Sequence, residues 1–525
     1  MIGKHTIFLF LFLLFSILSV GQTPAGDTAS IVEILPGVKR FHFKKLPDGT
    51  DLQILAGNVR MRQGAVLFTT DSCVLNNTKK TFSAFGNVHI NDSDTAQVWS
   101  NTLHYLYDKK MAYLEGNVKL TDGHGTLTTP SLEYDVARKI GTYNNNGKVV
   151  NKKTTVTSKE GIYYADIKDV YFKKNVLLKD PGYTVVTDSI LYNTENQTAS
   201  FIAATTIKDS SGRVIKTTEG KSDLRAGKSE FTQRTTVIDK ALTVVGDHIA
   251  SDDSTGIVQI EGRGVLIDTS KGISILADRI FANKKTEAFL ATKKPLMIVK
   301  QEKDSIYVAA DTLFSARLTD LFIDTSKTKK AVNPKDSTNR YFEAYRNVRV
   351  FSDSVQAVSD SLFYSFKDSV FQLYQNPVVW SKKTQVTGDT IFLYTKNKKP
   401  QYVHAYENSF LVSEVQPSIY NQIKSTRMDG FFKEGVLDSV RAKGAAESVY
   451  FIQDKDSAFT SVNQTQSDAM DLYFINGDLN KVVLRRSVKG TLYPIKQKNP
   501  SEMRLNSFQW LETRRPKTKY ELFEQ

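Results

Sequence analysis

The chain has 525 residues, one cysteine, 40% hydrophobic and 11% aromatic residues, and a formal net charge of +14. A lone thiol excludes an intrachain disulfide, so stability must come from packing and backbone hydrogen bonds. Proline is sparse at thirteen residues, which suits long uninterrupted strand ladders.

Residues 1–21 stand apart. Lys4 is a short positive head, Ile7 to Val20 is an almost unbroken apolar run, and Ser19-Val20-Gly21 has the small residues that signal peptidase reads. The layout predicts a secretory signal peptide cleaved near Gly21, because the run is short for a membrane span. An uncleaved anchor helix is the other reading. Cleavage removes Lys4 and leaves a charge of +13. Behind an export signal that balance points to anionic lipid, anionic polysaccharide or a membrane surface, and not to nucleic acid. The bland reading is that dispersed lysines keep sheet edges soluble.

Residues 22–35 read as an N-terminal linker, and 36–325 as a run of β-repeats. One phrase recurs at Gly57-Asn58-Val59, Gly86-Asn87-Val88 and Gly116-Asn117-Val118, with weaker copies at Gly147-Lys148-Val149 and Lys174-Asn175-Val176. Each clear copy leads into alternating apolar and polar residues, the period of a strand with one face buried. Gly and Asn both tolerate positive φ, so the phrase predicts a tight turn opening each strand. A second phrase, aliphatic-x-aromatic, interleaves with it at Leu103/Tyr105, Leu132/Tyr134, Ile162/Tyr164 and Ile190/Tyr192. Two phrases sharing a repeat near thirty residues predict an all-β repeat architecture.

The pattern stops over 326–339 (SKTKKAVNPKDSTN), a polar linker or loop. It resumes over 340–494 as a second β-repeat segment, with Arg346-Asn347-Val348 and Gln375-Asn376-Pro377 as late copies. Residues 495–525 form a charged tail, flexible or briefly helical, whose Phe508-Gln509-Trp510-Leu511 reads as a docking peptide.

Catalytic chemistry is not apparent. The histidines lack zinc-site spacing, and no nucleophile elbow, phosphate loop or dinucleotide fingerprint occurs. Asp71, Asp188, Asp311, Asp360 and Asp389 each precede Ser or Thr, which reads as Asx-turns at strand starts more simply than as a metal pattern. No catalytic residue, metal or cofactor is expected, and no enzymatic activity.

The phrases AGNVRM, FGNVHI and EGNVKL, alternating with the aliphatic-x-aromatic strands, resemble the OstA/LptA family of lipopolysaccharide-transport proteins of Gram-negative bacteria. The likeness is clearest over residues 50–200 and looser over 340–415. It implies an open, twisted antiparallel β-jellyroll, here in two consecutive segments, whose apolar groove holds acyl chains. It further implies a periplasmic, outer-membrane-associated place. The partners implied are lipopolysaccharide and, by edge-strand addition, other transport components at both membranes, with self-stacking and no nucleic acid. The chain departs from the family in being far longer than a single-jellyroll bridge component.

On this reading Val59, Met61, Val88, Ile90, Val118, Leu120, Val176 and Leu178 line one face of the groove. Leu103, Tyr105, Leu132, Tyr134, Ile162, Tyr164, Ile190 and Tyr192 line the other. The same residues serve equally as a sandwich core if the faces close. Arg60, Arg62 and Lys119 stand at the rim as phosphate contacts or as ordinary outward residues. The competing functions are a closed β-solenoid binding polysaccharide or acting as an adhesin, and a β-helical enzyme acting on acidic polysaccharide.

Overall fold

The computed structural model describes residues 31–523 except 93–94, 301–304, 322–337, 397–398, 455, 457 and 477. The predicted signal peptide, most of the linker 22–35 and nearly all of 326–339 lie outside the described residues. The chain is the expected all-β antiparallel repeat, and among the described residues helix is confined to single turns. It forms two compact units, one holding residues up to 151 with 159–169, the other 152–158 with 170–525. The division falls inside the span read from sequence as one run of repeats.

The first unit is a meander. Asp51–Gln63, Val66–Asn76, Thr81–Asp92, Ala96–Leu106, Met111–Thr121 and Thr126–Asp135 each pair with the next. Ahead of them, Glu33–Ile34 and Arg40–Lys45 pair with the two halves of Asp51–Gln63.

The Gly-Asn phrases do not open these strands; they bend them in the middle. Pairing jumps from Ala56↔Ser72 to Val59↔Thr70, so Gly57 and Asn58 together face Asp71 alone. In the same way Gly86-Asn87 face Asn101, and Gly116-Asn117 face Pro130. Two residues against one is a β-bulge, which bends the strand and sharpens its twist. Proline fits opposite a bulge because no ladder hydrogen bond is needed there. Gly86 shows why glycine comes first: its φ is 78°, and a Cβ there would lie 2.5 Å from Asp71 Oδ2. Sequence reasoning rightly found positive φ at these positions but misplaced the turn. The periodicity continues unbroken on both sides of the bend, so a corner and a strand start look alike.

The aspartates serve the same corners. Asn87 Nδ2 donates to Asp71 Oδ2 at 2.8 Å, Asn347 to Asp311 at 3.1 Å, and Asn408 to Asp389 at 3.0 Å. Asp71, Asp188 and Asp360 sit inside strands and not at their starts. The second unit repeats the device, with Arg346-Asn347 facing Asp360 and Gly444-Ala445 facing Asp468.

Each long strand thus has two limbs meeting at a corner. In the first unit the limb Val88–Asp92 alternates between buried and half-buried residues, as a sheet with one wet face should. In the second unit the equivalent stretch Ser409–Ser413 is buried on both faces. The cause is the tail. Residues 495–522 are not free: they form short 3-10 turns and pack on the strands of their own unit. Leu505, with Phe508 and Trp510, packs on Phe410, Val412, Tyr420, Val449, Phe451 and Val462. Leu511 packs on Val358, Val378 and Trp380, and Leu522 on Leu296 and Ala309. Two buried glutamines read the tail's backbone. Gln422 donates to Met503 O at 2.8 Å and accepts from Leu505 N at 2.9 Å. Gln385 donates to Gln509 O at 2.9 Å and accepts from Leu511 N at 2.7 Å.

Candidate functional site

Within the first unit the inward residues form continuous rows. On one limb Met61, Phe68, Ile90, Val98, Leu120, Leu127 and Val149 are cross-strand partners in succession. At about 4.8 Å per strand this row runs about 29 Å. On the other limb Leu55, Cys73, Ala84, Leu103, Leu114 and Leu132 form one row. Phe82, Tyr105, Ala112, Tyr134, Gly141 and Tyr163 form a second. In that second row large rings alternate with Ala112 and Gly141, leaving slots that the opposing limb fills. A Cβ on Gly141 would lie 3.2 Å from Leu120 Cδ1 and 3.2 Å from Leu132 Cδ1.

The two limbs face each other and touch. Phe68 meets Phe82 edge-on at 5.3 Å and Tyr105 at 4.9 Å. Met61, Ile90, Leu120 and Tyr134 are all 0% exposed. The inward rows are therefore sealed from water in this state. Burial pushes the Cys73 thiol up to about 12, so it is an inert apolar neighbour of Met61 and not a nucleophile.

Fourteen of the sixteen residues expected from sequence point inward: Val59, Met61, Val88, Ile90, Leu103, Tyr105, Val118, Leu120, Leu132, Tyr134, Val176, Leu178, Ile190 and Tyr192 are all buried. The last four belong to the second unit. Ile162 and Tyr164 are a correction. They are only half-buried, while Gly161 and Tyr163 between and beside them are buried, so the strand Glu160–Tyr164 presents its other face. Tyr163 pairs with Gly141 in the same row as Tyr134. A one-residue slip turns every side chain of a strand to the opposite face. The rim residues Arg60 and Lys119 are exposed and outward, as is His104. His89 stacks on Trp99 at 4.8 Å, with the Lys119 ammonium 5.0 Å from the Trp99 ring.

Sequence reasoning missed a polar column at the far ends of the limbs. Gln63, Asp92, Asp122 and Asn151 recur at the repeat spacing and are all buried. The side chains of Gln63 and Asp92 tie the limbs together. The Tyr105 hydroxyl donates to Gln63 Oε1, and Gln63 Nε2 donates to Tyr107 O at 3.3 Å. The Tyr134 hydroxyl donates to Asp92 Oδ2 at 2.9 Å. Farther along, Lys139 Nζ donates to Thr95 Oγ1 at 3.1 Å, and Lys168 Nζ to Asp122 O at 3.3 Å. Burial, then the negative charge of Asp92, raises the Tyr134 hydroxyl well above its ordinary value, so the phenol stays a donor. The tyrosines fall at 105, 134, 163 and 192, an unvarying interval of 29 that would have exposed the slip at Tyr164.

Residues 38–188 match the family model of OstA-like proteins. This stretch is OstA-like; it takes in most of the first unit and the opening strands of the second. No curated protein matches the chain. Among solved structures, the chain is similar to LptH of Pseudomonas aeruginosa, described as the LptA-homologous periplasmic component of the lipopolysaccharide transport device. Identity is 13%, with 26% of this chain and 82% of that chain covered, at a TM-score of 0.20.

Proposed function

We propose that the protein is a non-catalytic lipid carrier that takes lipopolysaccharide acyl chains between the two limbs of its first unit and passes them toward the outer membrane. The observation that carries this reading is the pair of facing apolar rows inside an OstA-like segment, bounded at the limb ends by a polar seam. A buried acyl methylene gains about 0.8 kcal/mol, so apolar contact along the rows is what would hold an acyl chain. Because the rows are sealed in this state, loading requires the limbs to part. The seam is the part of the interior held by a few side-chain hydrogen bonds and no strand pairing.

Export to the periplasm is part of the same proposal, resting on the leader-like residues 1–21. Partner docking by strand addition is supported by Arg40–Lys45, all six residues of which are exposed, with Phe41 and Phe43 more than half exposed.

The test is site-specific photo-crosslinking to labelled lipopolysaccharide. Crosslinkers at the inward positions Val118, Tyr105 and Tyr134 should capture lipid, and those at outward His104 and Lys119 should not. Equal capture at both sets, or none at the inward set in folded protein, refutes an acyl site between the limbs.

A further inference from the structure

The outer face of the second unit carries a cationic plate with no part in the interior just described. The strands Lys399–Gln416, Ile419–Lys433, Val436–Gln453, Phe459–Ile475 and Asp478–Arg485 lie side by side. Across them runs one row of partners, His404, Asp429, Arg441 and Asp471. The next row is Tyr406, Arg427, Lys443, Ala469 and Arg485.

Two carboxylates organise the cations. Asp429 accepts from Arg427 Nε at 2.6 Å, Lys443 Nζ at 2.9 Å and His404 Nδ1 at 2.7 Å. Asp471 accepts from Arg441 Nε at 2.7 Å and Arg485 Nε at 2.5 Å. Both aspartates are 4% exposed, while the four cationic side chains above them are 41–53% exposed. Burial pushes both carboxyls up, but the hydrogen bonds from the cations more than offset it and hold them below the usual range.

Four cations over two carboxylates leave two positive charges in excess. Arg441 and Arg485 bind aspartate through Nε, so their terminal nitrogens remain as the outward fork that suits a phosphate. Their ordering is already met by Asp471, which lowers the entropy lost on binding. Aromatic side chains flank the plate along a third row, with Tyr402, Phe431, Ser439, Tyr473 and Lys481 as successive partners. Phe431 and Tyr473 are 46% and 40% exposed. A flat apolar ring beside a guanidinium fork matches a sugar face beside its phosphate.

We propose that this plate binds a phosphorylated saccharide. That the natural ligand is the sugar-phosphate headgroup of the carried lipid rests on the reading above. The binding itself is tested with a soluble ester that has no acyl chain, so its failure and the failure of acyl capture are separate observations.

The full chain is titrated calorimetrically with glucose 1,6-bisphosphate, glucose and inorganic phosphate. The bisphosphate should bind, glucose should not, and affinity should fall with rising salt. K443Q, which leaves Asp429 paired with Arg427 and His404, should weaken binding about tenfold, as should F431A. Circular dichroism checks that both variants fold. Unchanged affinity in folded K443Q, or no binding of the bisphosphate, overturns the site. Inorganic phosphate binding as tightly as the ester, with F431A silent, overturns the saccharide assignment. Capture by phosphatidylglycerol vesicles that the ester does not compete away overturns it in favour of a membrane surface.

Discussion

Replacing Tyr134 with Phe isolates one rung of the seam. The ring stays, so the row of Tyr105, Ala112, Tyr134 and Gly141 keeps its packing, and only the hydroxyl 2.9 Å from Asp92 Oδ2 is lost. Asp92 is 2% exposed, so water does not replace the donor. A hydrogen bond to a charged acceptor contributes about 1.5–3 kcal/mol. We expect Tyr134→Phe to destabilise the first unit by about 2 kcal/mol. Urea unfolding, followed by a crosslinkable or fluorescent label at His104 to report on that unit alone, measures it as a lower midpoint at unchanged slope. The same variant should speed capture of an acyl probe, because opening the limbs no longer breaks this bond. A stability change below about 0.5 kcal/mol would refute the view that the seam holds the limbs together. Unchanged capture at lowered stability would place the gate elsewhere.

Three further outcomes follow from particular contacts. Gly86→Ala forces a Cβ against Asp71 at φ 78° and should cost more than Asn87→Gly, which keeps the backbone and loses only the bond to Asp71; thermal melts rank the two. Gln422→Ala removes both hydrogen bonds to the tail and should cost about 1–3 kcal/mol, read as rapid proteolysis between residues 495 and 510 while the strands stay resistant. The lowered carboxyls of Asp429 and Asp471 contribute stability that is in full above the usual aspartate value of 3.8 and is lost as pH falls below it. D471N should therefore flatten the acid limb of the urea midpoint against pH.

The repeat itself was legible because its two phrases are local. Gly57-Asn58, Gly86-Asn87 and Gly116-Asn117 need positive φ, and residues with period-two burial follow them whatever the rest of the chain does. Their role as corners was not legible, since a bulge shows itself only in the register of the neighbouring strand, two residues against Asp71 or Pro130. Ile162 and Tyr164 were misread because two aromatics adjoin at 163 and 164, and the phrase fits either. Only the constant interval from Tyr105 to Tyr192 separates them. The seam was hidden for another reason. Asp92 and Asp122 look like ordinary turn residues, and Asp122 does accept from the His124 and Gly125 amides. Their burial depends on the opposite limb, more than forty residues away.

The tail is the clearest case of a long-range cause behind a local pattern. Phe410 and Val412 lie on the strand face that is polar in the first unit, where His89 and Asn91 hold the equivalent places. An apolar residue at such a site would leave an exposed patch on a sheet, a liability for aggregation. Leu505, Phe508 and Trp510 remove that liability by covering it, and Gln385 and Gln422 fix which part of the tail lies where. Gln385 and Gln422, 1% and 0% exposed, have amide oxygens that accept from the tail's Leu511 and Leu505 backbone, so the tail satisfies the polar atoms that it buries. Strand faces and tail are thus one design. If the tail is displaced, the second unit should expose a contiguous apolar stripe and two hungry amides, and it should then either unfold locally or recruit another extended segment bearing the same spacing of apolar residues.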